Sequence, residues 1–160
     1  MNMPRSGPAV LMLLTLAACE ATGPVPTQFQ ANLAGTAEVP AVTTTATGTA
    51  TITVSGTTLQ YAITVANLVN PTVAHIHVGA VGVAGGVRFD LCGTGGAIPA
   101  CAAGTVTGAL VTNTAGHGVV QAGLSFDSLR ILMGNFGAYV NVHTAANPGG
   151  ELRGQIFARN

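Results

Sequence analysis

What most constrains this chain is its punctuation. From about Phe29 onward, short runs of alternating apolar and polar residues are separated at near-regular intervals by glycine, proline, serine and asparagine. A period of two sends successive side chains to opposite faces of a strand and leaves no continuous apolar stripe for a helix to bury. The runs are Gln28 to Leu33, Gly48 to Val54, Leu59 to Ala66, Val73 to Val78, Val87 to Leu91, Val106 to Val111, Ala138 to Thr144 and Glu151 to Phe157. Between them stand Ser55-Gly56, Asn70-Pro71, Gly85-Gly86 and Asn147-Pro148-Gly149-Gly150, residues that turn the backbone. About eight short strands so spaced predict an all-β fold, an antiparallel sandwich or barrel.

Two stretches need separate treatment. Ser125 to Leu132 (SFDSLRIL) with Met133 sets Phe126, Leu129, Leu132 and Met133 at helical spacing, and Ser125 is placed to cap the first turn, so one short helix is predicted. Thr43 to Thr58 approaches low complexity in Thr, Ala and Gly, but its β-branched content favours strand over disorder.

Ahead of the first strand, Arg5 precedes the apolar run Ala9 to Ala18. Ten residues make half of the roughly 20 that a helix needs to cross a bilayer core of about 30 Å. Residues 1–18 therefore read as a signal peptide. Leu16-Ala17-Ala18-Cys19 resembles the lipobox of bacterial lipoproteins, in which the cysteine thiol is acylated and becomes the new amino terminus. An ordinary secretory signal with a chance cysteine is the alternative. The count of three cysteines favours the lipobox: with Cys19 acylated, Cys92 and Cys101 remain as an even pair, expected to form a disulfide in an oxidising compartment. A metal-binding thiol pair is the other reading of those two. Residues 20–27 (EATGPVPT) carry prolines and no periodicity, so residues 19–28 are assigned as lipidated cysteine and tether, and residues 29–158 as the folded domain. The expected location is outside the cytoplasm, anchored by lipid to a bacterial membrane, the outer one, facing the periplasm or the cell surface.

Charge excludes one class of partner. The chain has five Arg, no Lys and five acidic residues, for a formal net charge of zero, so no long-range field recruits nucleic acid. Weakly charged strand edges permit pairing with a second copy, hence a dimer.

The sharpest chemical signal is Val73-Ala74-His75-Ile76-His77-Val78. Alternation puts His75 and His77 on one face and Ala74, Ile76 and Val78 on the other. Ala138 to Thr144 repeats the design with Tyr139, Asn141 and His143, and Glu151, Arg153 and Gln155 alternate with Leu152, Gly154 and Ile156. A hairpin across Asn147 to Gly150 sets the last two rows side by side, so His75, His77, His143, Asn141, Glu151 and Arg153 are expected in one cluster. Two readings stay open: a copper or zinc site ligated by His75, His77 and His143, or a hydrogen-bonded network that holds no ion. His117 has no motif to support it as a further ligand. Gly79 to Gly86, which a phosphate-binding loop would follow with a helix, precedes a strand and is read as a plain connecting loop. Gly-x-Ser-x-Gly, His-Glu-x-x-His and Cys-x-x-Cys are absent, and Glu38, Asp90, Asp127 and Glu151 are scattered, so no catalytic residues are assigned.

GTAEVP at Gly35 to Pro40, LQYAITVANL at Leu59 to Leu68, VAHIHVG at Val73 to Gly79 and YVNVHTAANPGGELRGQI at Tyr139 to Ile156 together resemble the CHRD (chordin-type) domain family. The resemblance runs from about Phe29 to Phe157. It implies an extracytoplasmic, immunoglobulin-like antiparallel β-sandwich without established catalytic activity. The HIH strand also resembles the copper-binding strand of copper-zinc superoxide dismutase. The resulting expectation is a non-enzymatic, membrane-tethered binding or structural module with an unidentified protein or surface partner. A copper- or zinc-binding, dismutase-like redox protein is the alternative.

Overall fold

The computed structural model describes residues 25–94, 98–111 and 125–159. The signal peptide, Cys19, residues 20–24 of the tether and His117 lie outside the described residues. The elements run in the order β1 (Gln28–Ala34), a 3-10 turn (Gly35–Ala37), β2 (Thr47–Ser55), β3 (Thr58–Ala66), β4 (Pro71–Val78), β5 (Val87–Cys92), β6 (Gly104–Val111), α1 (Phe126–Gly134), β7 (Asn135–Thr144) and β8 (Leu152–Ala158). Each strand lies within two residues of its predicted run except β7, which begins three residues early, at Asn135 rather than Ala138.

Every pairing is antiparallel, and the eight strands form one ladder in the order β5-β4-β7-β8-β1-β2-β3-β6. The ladder curls so that β5-β4-β7-β8 lies over β1-β2-β3-β6, giving a sandwich-like fold whose layers stay joined where β8 meets β1. At that corner the Asn32 carbonyl oxygen of β1 stands 2.3 Å from where a Cβ on Gly154 would be. No side chain fits there, so glycine sets how closely the two layers join.

Alternation decides the core. Phe29, Ala31 and Leu33 of β1, Ile52 of β2, Leu59 and Ile63 of β3, Ala74 and Ile76 of β4, Phe89 and Leu91 of β5, and Val140 and Val142 of β7 all point between the layers and are buried. Each of these side chains larger than alanine is worth roughly 1.5–3 kcal/mol once removed from water. The opposite seam, between the edge strands β5 and β6, carries no ladder. There the Tyr61 hydroxyl of β3 donates to the Leu91 carbonyl, and the Cys92–Cys101 disulfide ties the end of β5 to the connection that leads into β6.

Helix α1 starts as its sequence predicts: Ser125 Oγ accepts from the Ser128 amide at 3.1 Å, and Asp127 sits in the first turn. It turns Leu129 and Met133 into the core. Its Arg130 reaches back to the incoming chain, donating to the Val25 carbonyl at 3.0 Å and to the Pro26 carbonyl at 3.3 Å. Among the described residues no helix is long and apolar enough to cross a membrane.

Candidate functional site

The outer face of the β5-β4-β7-β8 layer holds the polar rows. Register sets His75 of β4 between Asp90 of β5 and Asn141 of β7, and Asn141 opposite Arg153 of β8. One step along, His77 pairs with Tyr139, and Tyr139 with Gln155. His143 lies opposite Val73, diagonal to His75. The strand alternation therefore brings His75, His77 and His143 together, all half-buried, with one ring nitrogen from each within 4.8 Å of the others.

Hydrogen bonds behind the rings fix their protons. His143 Nδ1 is 2.9 Å from the Pro148 carbonyl and His77 Nδ1 is 2.9 Å from the Gly85 carbonyl. A carbonyl can only accept, so each Nδ1 carries the hydrogen and each neutral ring presents its Nε2 lone pair. His143 Nε2 faces His75 Nδ1 at 3.2 Å, and His75 Nε2 stands 3.5 Å from Asp90 Oδ1. His77 Nε2 is buried with no partner among the described residues. Burial, and after it the neighbouring His143, pushes the His75 pKa down to about 4; Asp90 pulls the other way. Burial also lowers His77, against the raising effect of the Gly85 carbonyl. His75 and His77 are thus set as neutral bases.

A stack of planar groups supports His77. Its ring lies parallel to Tyr139 at 4.8 Å, and the Arg153 guanidinium carbon sits 3.5 Å over the other side of the Tyr139 system. Gly79 to Gly86, read from sequence as a plain connection, folds back over this face. Arg153 Nη2 donates to the Ala80 carbonyl at 3.2 Å and the Val83 carbonyl at 2.9 Å, and Gln155 Nε2 donates to the Gly79 carbonyl at 2.7 Å. The Gly85 amide donates to the Tyr139 hydroxyl at 3.0 Å. A Cβ on Gly85 would stand 1.7 Å from the Val78 carbonyl oxygen, so only glycine lets the loop close there.

The other expected members divide. Asn141 and Arg153 lie on the histidine face, and both are buried. Asn141 Nδ2 donates at 2.7 Å to Glu38, a residue that sequence reasoning left unplaced. Burial raises the Glu38 pKa, with Asn141 and Arg153 opposing. Glu151 goes elsewhere. It precedes β8, outside the alternation, and its carboxylate accepts from Thr144 at 2.6 Å, Thr44 at 2.7 Å and Asn147 at 2.9 Å. Those donors, the Thr144 bond first, hold its pKa below the usual carboxylate value. Asp90, also missed, was legible: in VRFDLC it alternates with the buried Phe89 and Leu91 and so faces outward with the histidines.

Two coordinating nitrogens about 2.05 Å from one tetrahedral ion lie about 3.3 Å apart. The 3.2 Å between His75 and His143 matches that spacing, and the third nitrogen has up to about 1.5 Å to close. Rings whose far nitrogen is held by a carbonyl or carboxylate have the outer-sphere support that metal-ligating histidines show.

No curated protein matches the chain. The family model of the CHRD domain matches residues 29–156, which take in β1 through β8 and the whole histidine face, and the chain therefore belongs to the CHRD domain family.

Proposed function

We propose that this CHRD domain is a non-enzymatic, extracytoplasmic binding module, tethered to a bacterial membrane through a lipid on Cys19, and that its histidine cluster takes a copper or zinc ion. One observation carries the metal reading: the cluster is a proton short. His75 faces acceptors on both sides, the His143 Nε2 lone pair and the Asp90 carboxylate, yet a neutral imidazole has one hydrogen to give. His77 Nε2 meanwhile has no partner among the described residues. A network that merely satisfied its members would not leave both defects, because unpaired buried polar atoms cost about 1–3 kcal/mol each. A cation accepted by His75 Nδ1, His77 Nε2 and His143 Nε2 removes them together and frees the His75 Nε2 hydrogen for Asp90. Imidazole donors suit copper and zinc.

The test is elemental analysis of the protein extracted from its host membrane without chelators. Copper or zinc near one per chain supports the metal site. Metal-free protein that also fails to take up either ion in dialysis returns the cluster to a structural network. Dismutase-like catalysis is the separate, enzymatic version, and superoxide decay by the loaded protein decides it.

A further inference from the structure

The fold has two poles. At one, the tether meets β1, β8 ends, β7 begins, and the β4–β5 loop leaves the sheet; at the other lie the turns that follow β3 and β7. Large exposed apolar side chains are unevenly shared between them. Val81, Val83, Val87, Ile131 and Phe136 belong to elements that begin or end at the tether pole, while Val39 and Val69 lie at the other.

Phe136 is the most informative of these. It is 51% exposed and stacks on Phe157 with ring centroids 5.9 Å apart. Its backbone is left-handed, with φ of +55°, a conformation that suits asparagine or glycine and is strained for an aromatic residue. A strained position occupied by a bulky, half-exposed side chain points to a use for that side chain.

The path of the chain says what it faces. Arg130 clamps the carbonyls of Val25 and Pro26 to α1, and the Pro26 ring lies 3.5 Å from where a Cβ on Gly134 would be, two residues before Phe136. Val25 is six residue steps from Cys19, a span of at most about 21 Å. A lipid on Cys19 therefore holds this pole at the bilayer, and the Arg130 clamp fixes the direction in which the tether leaves. Arg159, exposed beyond the end of β8, adds a cation on the same side.

We infer that the tether pole docks on the bilayer surface, with Phe136 and Phe157 inserted at the headgroup boundary; this rests on the reading that Cys19 carries a lipid. The docked domain is then held in one orientation, with the histidine face roughly perpendicular to the membrane and reachable from the side. The lipid on Cys19 supplies retention, and the inserted aromatic pair adds the contact that fixes orientation.

The chain has no tryptophan, so one can be placed as a unique reporter. Phe136→Trp, Phe157→Trp and, at the far pole, Val69→Trp are made in the full chain and mixed with vesicles of zwitterionic and anionic lipids containing brominated acyl chains. Sedimentation with the vesicles first reads whether Cys19 carries its own lipid. Where it does not, its thiol is coupled to a maleimide lipid, so that docking is measured even if natural acylation fails. Docking predicts that bromine roughly halves the emission of the tryptophans at 136 and 157 and leaves that at 69 unchanged, as for rings seated about 5–10 Å into the interface. Equal, weak quenching at all three positions overturns it. So does a blue shift at 136 that depends on protein concentration and ignores bromine, which would place a second copy on this pole.

Discussion

His75 Nδ1 and His143 Nε2 stand 3.2 Å apart while the far nitrogen of each ring faces an oxygen, Asp90 Oδ1 at 3.5 Å for one and the Pro148 carbonyl at 2.9 Å for the other. The two rings come from strands 68 residues apart in sequence and adjacent in the sheet. Ring pairs restrained from behind in this way need little rearrangement to share an ion, so binding is expected to stabilise the fold by mass action. At a free metal concentration 100 times the dissociation constant, the gain is about 2.7 kcal/mol. Thermal melts with micromolar Cu²⁺ or Zn²⁺ should show it, and His75→Ala should abolish the response. A network without an ion gives the opposite pattern: no response to metal, and a loss of about 1–3 kcal/mol in His75→Ala.

Acid should weaken the metal-free fold once the pH falls below about 6.5. His75 has a native pKa of about 4, against about 6.5 when unfolded, because burial disfavours its charged form. Between those values the unfolded chain binds the proton and the native one does not, so this contribution is complete above pH 6.5 and is lost as pH falls towards 4. Allowing for partial exposure, the loss is about 2 kcal/mol from this residue. His77, also lowered, acts in the same direction. Urea midpoints measured from pH 7 to 4.5 should fall in wild type and fall less in His75→Asn. A flat profile in wild type would mean that His75 and His77 are solvated and take up their protons at the same pH in the folded and unfolded chain.

Alternation made much of this legible. All eight strands, the Ser125 cap and the shared face of His75, His77, Asn141 and His143 follow from period and turn residues, because a strand fixes the side of every side chain once one is known. Contacts made by backbone carbonyls were not legible. The β4–β5 loop offers the oxygens of Gly79, Ala80, Val83 and Gly85 to side chains on three strands, and nothing in GAVGVAGG says which way those carbonyls point. Glu38 reaches Asn141 across 103 residues through a turn with no strand register to align it. Glu151 fell outside the predicted cluster for a related reason: the strand that would have set its side begins one residue later.

Glu38 is predicted to oppose folding at neutral pH. Its raised pKa has the reverse sign from His75: the stabilising form is the protonated one, and stability is lost as pH rises through the native pKa. Glu38→Gln keeps an oxygen for the Asn141 amide and removes the buried charge. It should leave neutral-pH stability unchanged or raise it by up to about 1 kcal/mol, and remove part of the pH dependence near the carboxylate range. A marked loss of stability would show that the Arg153 charge needs Glu38 ionised.

The Tyr61 hydroxyl bridges β5 to β3 in the opposite layer, the disulfide ties β5 to the connection just before β6, and β5 and β6 are the two edges of the sheet. Cys92 and Cys101 are nine residues apart, and the chain-entropy model assigns a loop of that size about 2.5 kcal/mol. Reduction should therefore lower the melting temperature, but its sharper effect is local. Without the covalent tie the end of β5 rests on the Tyr61 bond, whose phenol is buried enough to raise its pKa to about 12. Amide exchange should accelerate in β5 and β6 and hardly change in β1 and β2, which sit mid-sheet with partners on both sides. Tyr61→Phe alone should cost about 1 kcal/mol. Combined with reduction it should cost more than the sum of the two, since each bridge restrains the seam that the other needs closed. The effect reaches the histidines through Asp90, two residues before Cys92 on β5, so reduced protein should also hold copper or zinc less tightly. Metal affinity that does not change on reduction, with exchange rising evenly over all strands, would separate the seam from the site.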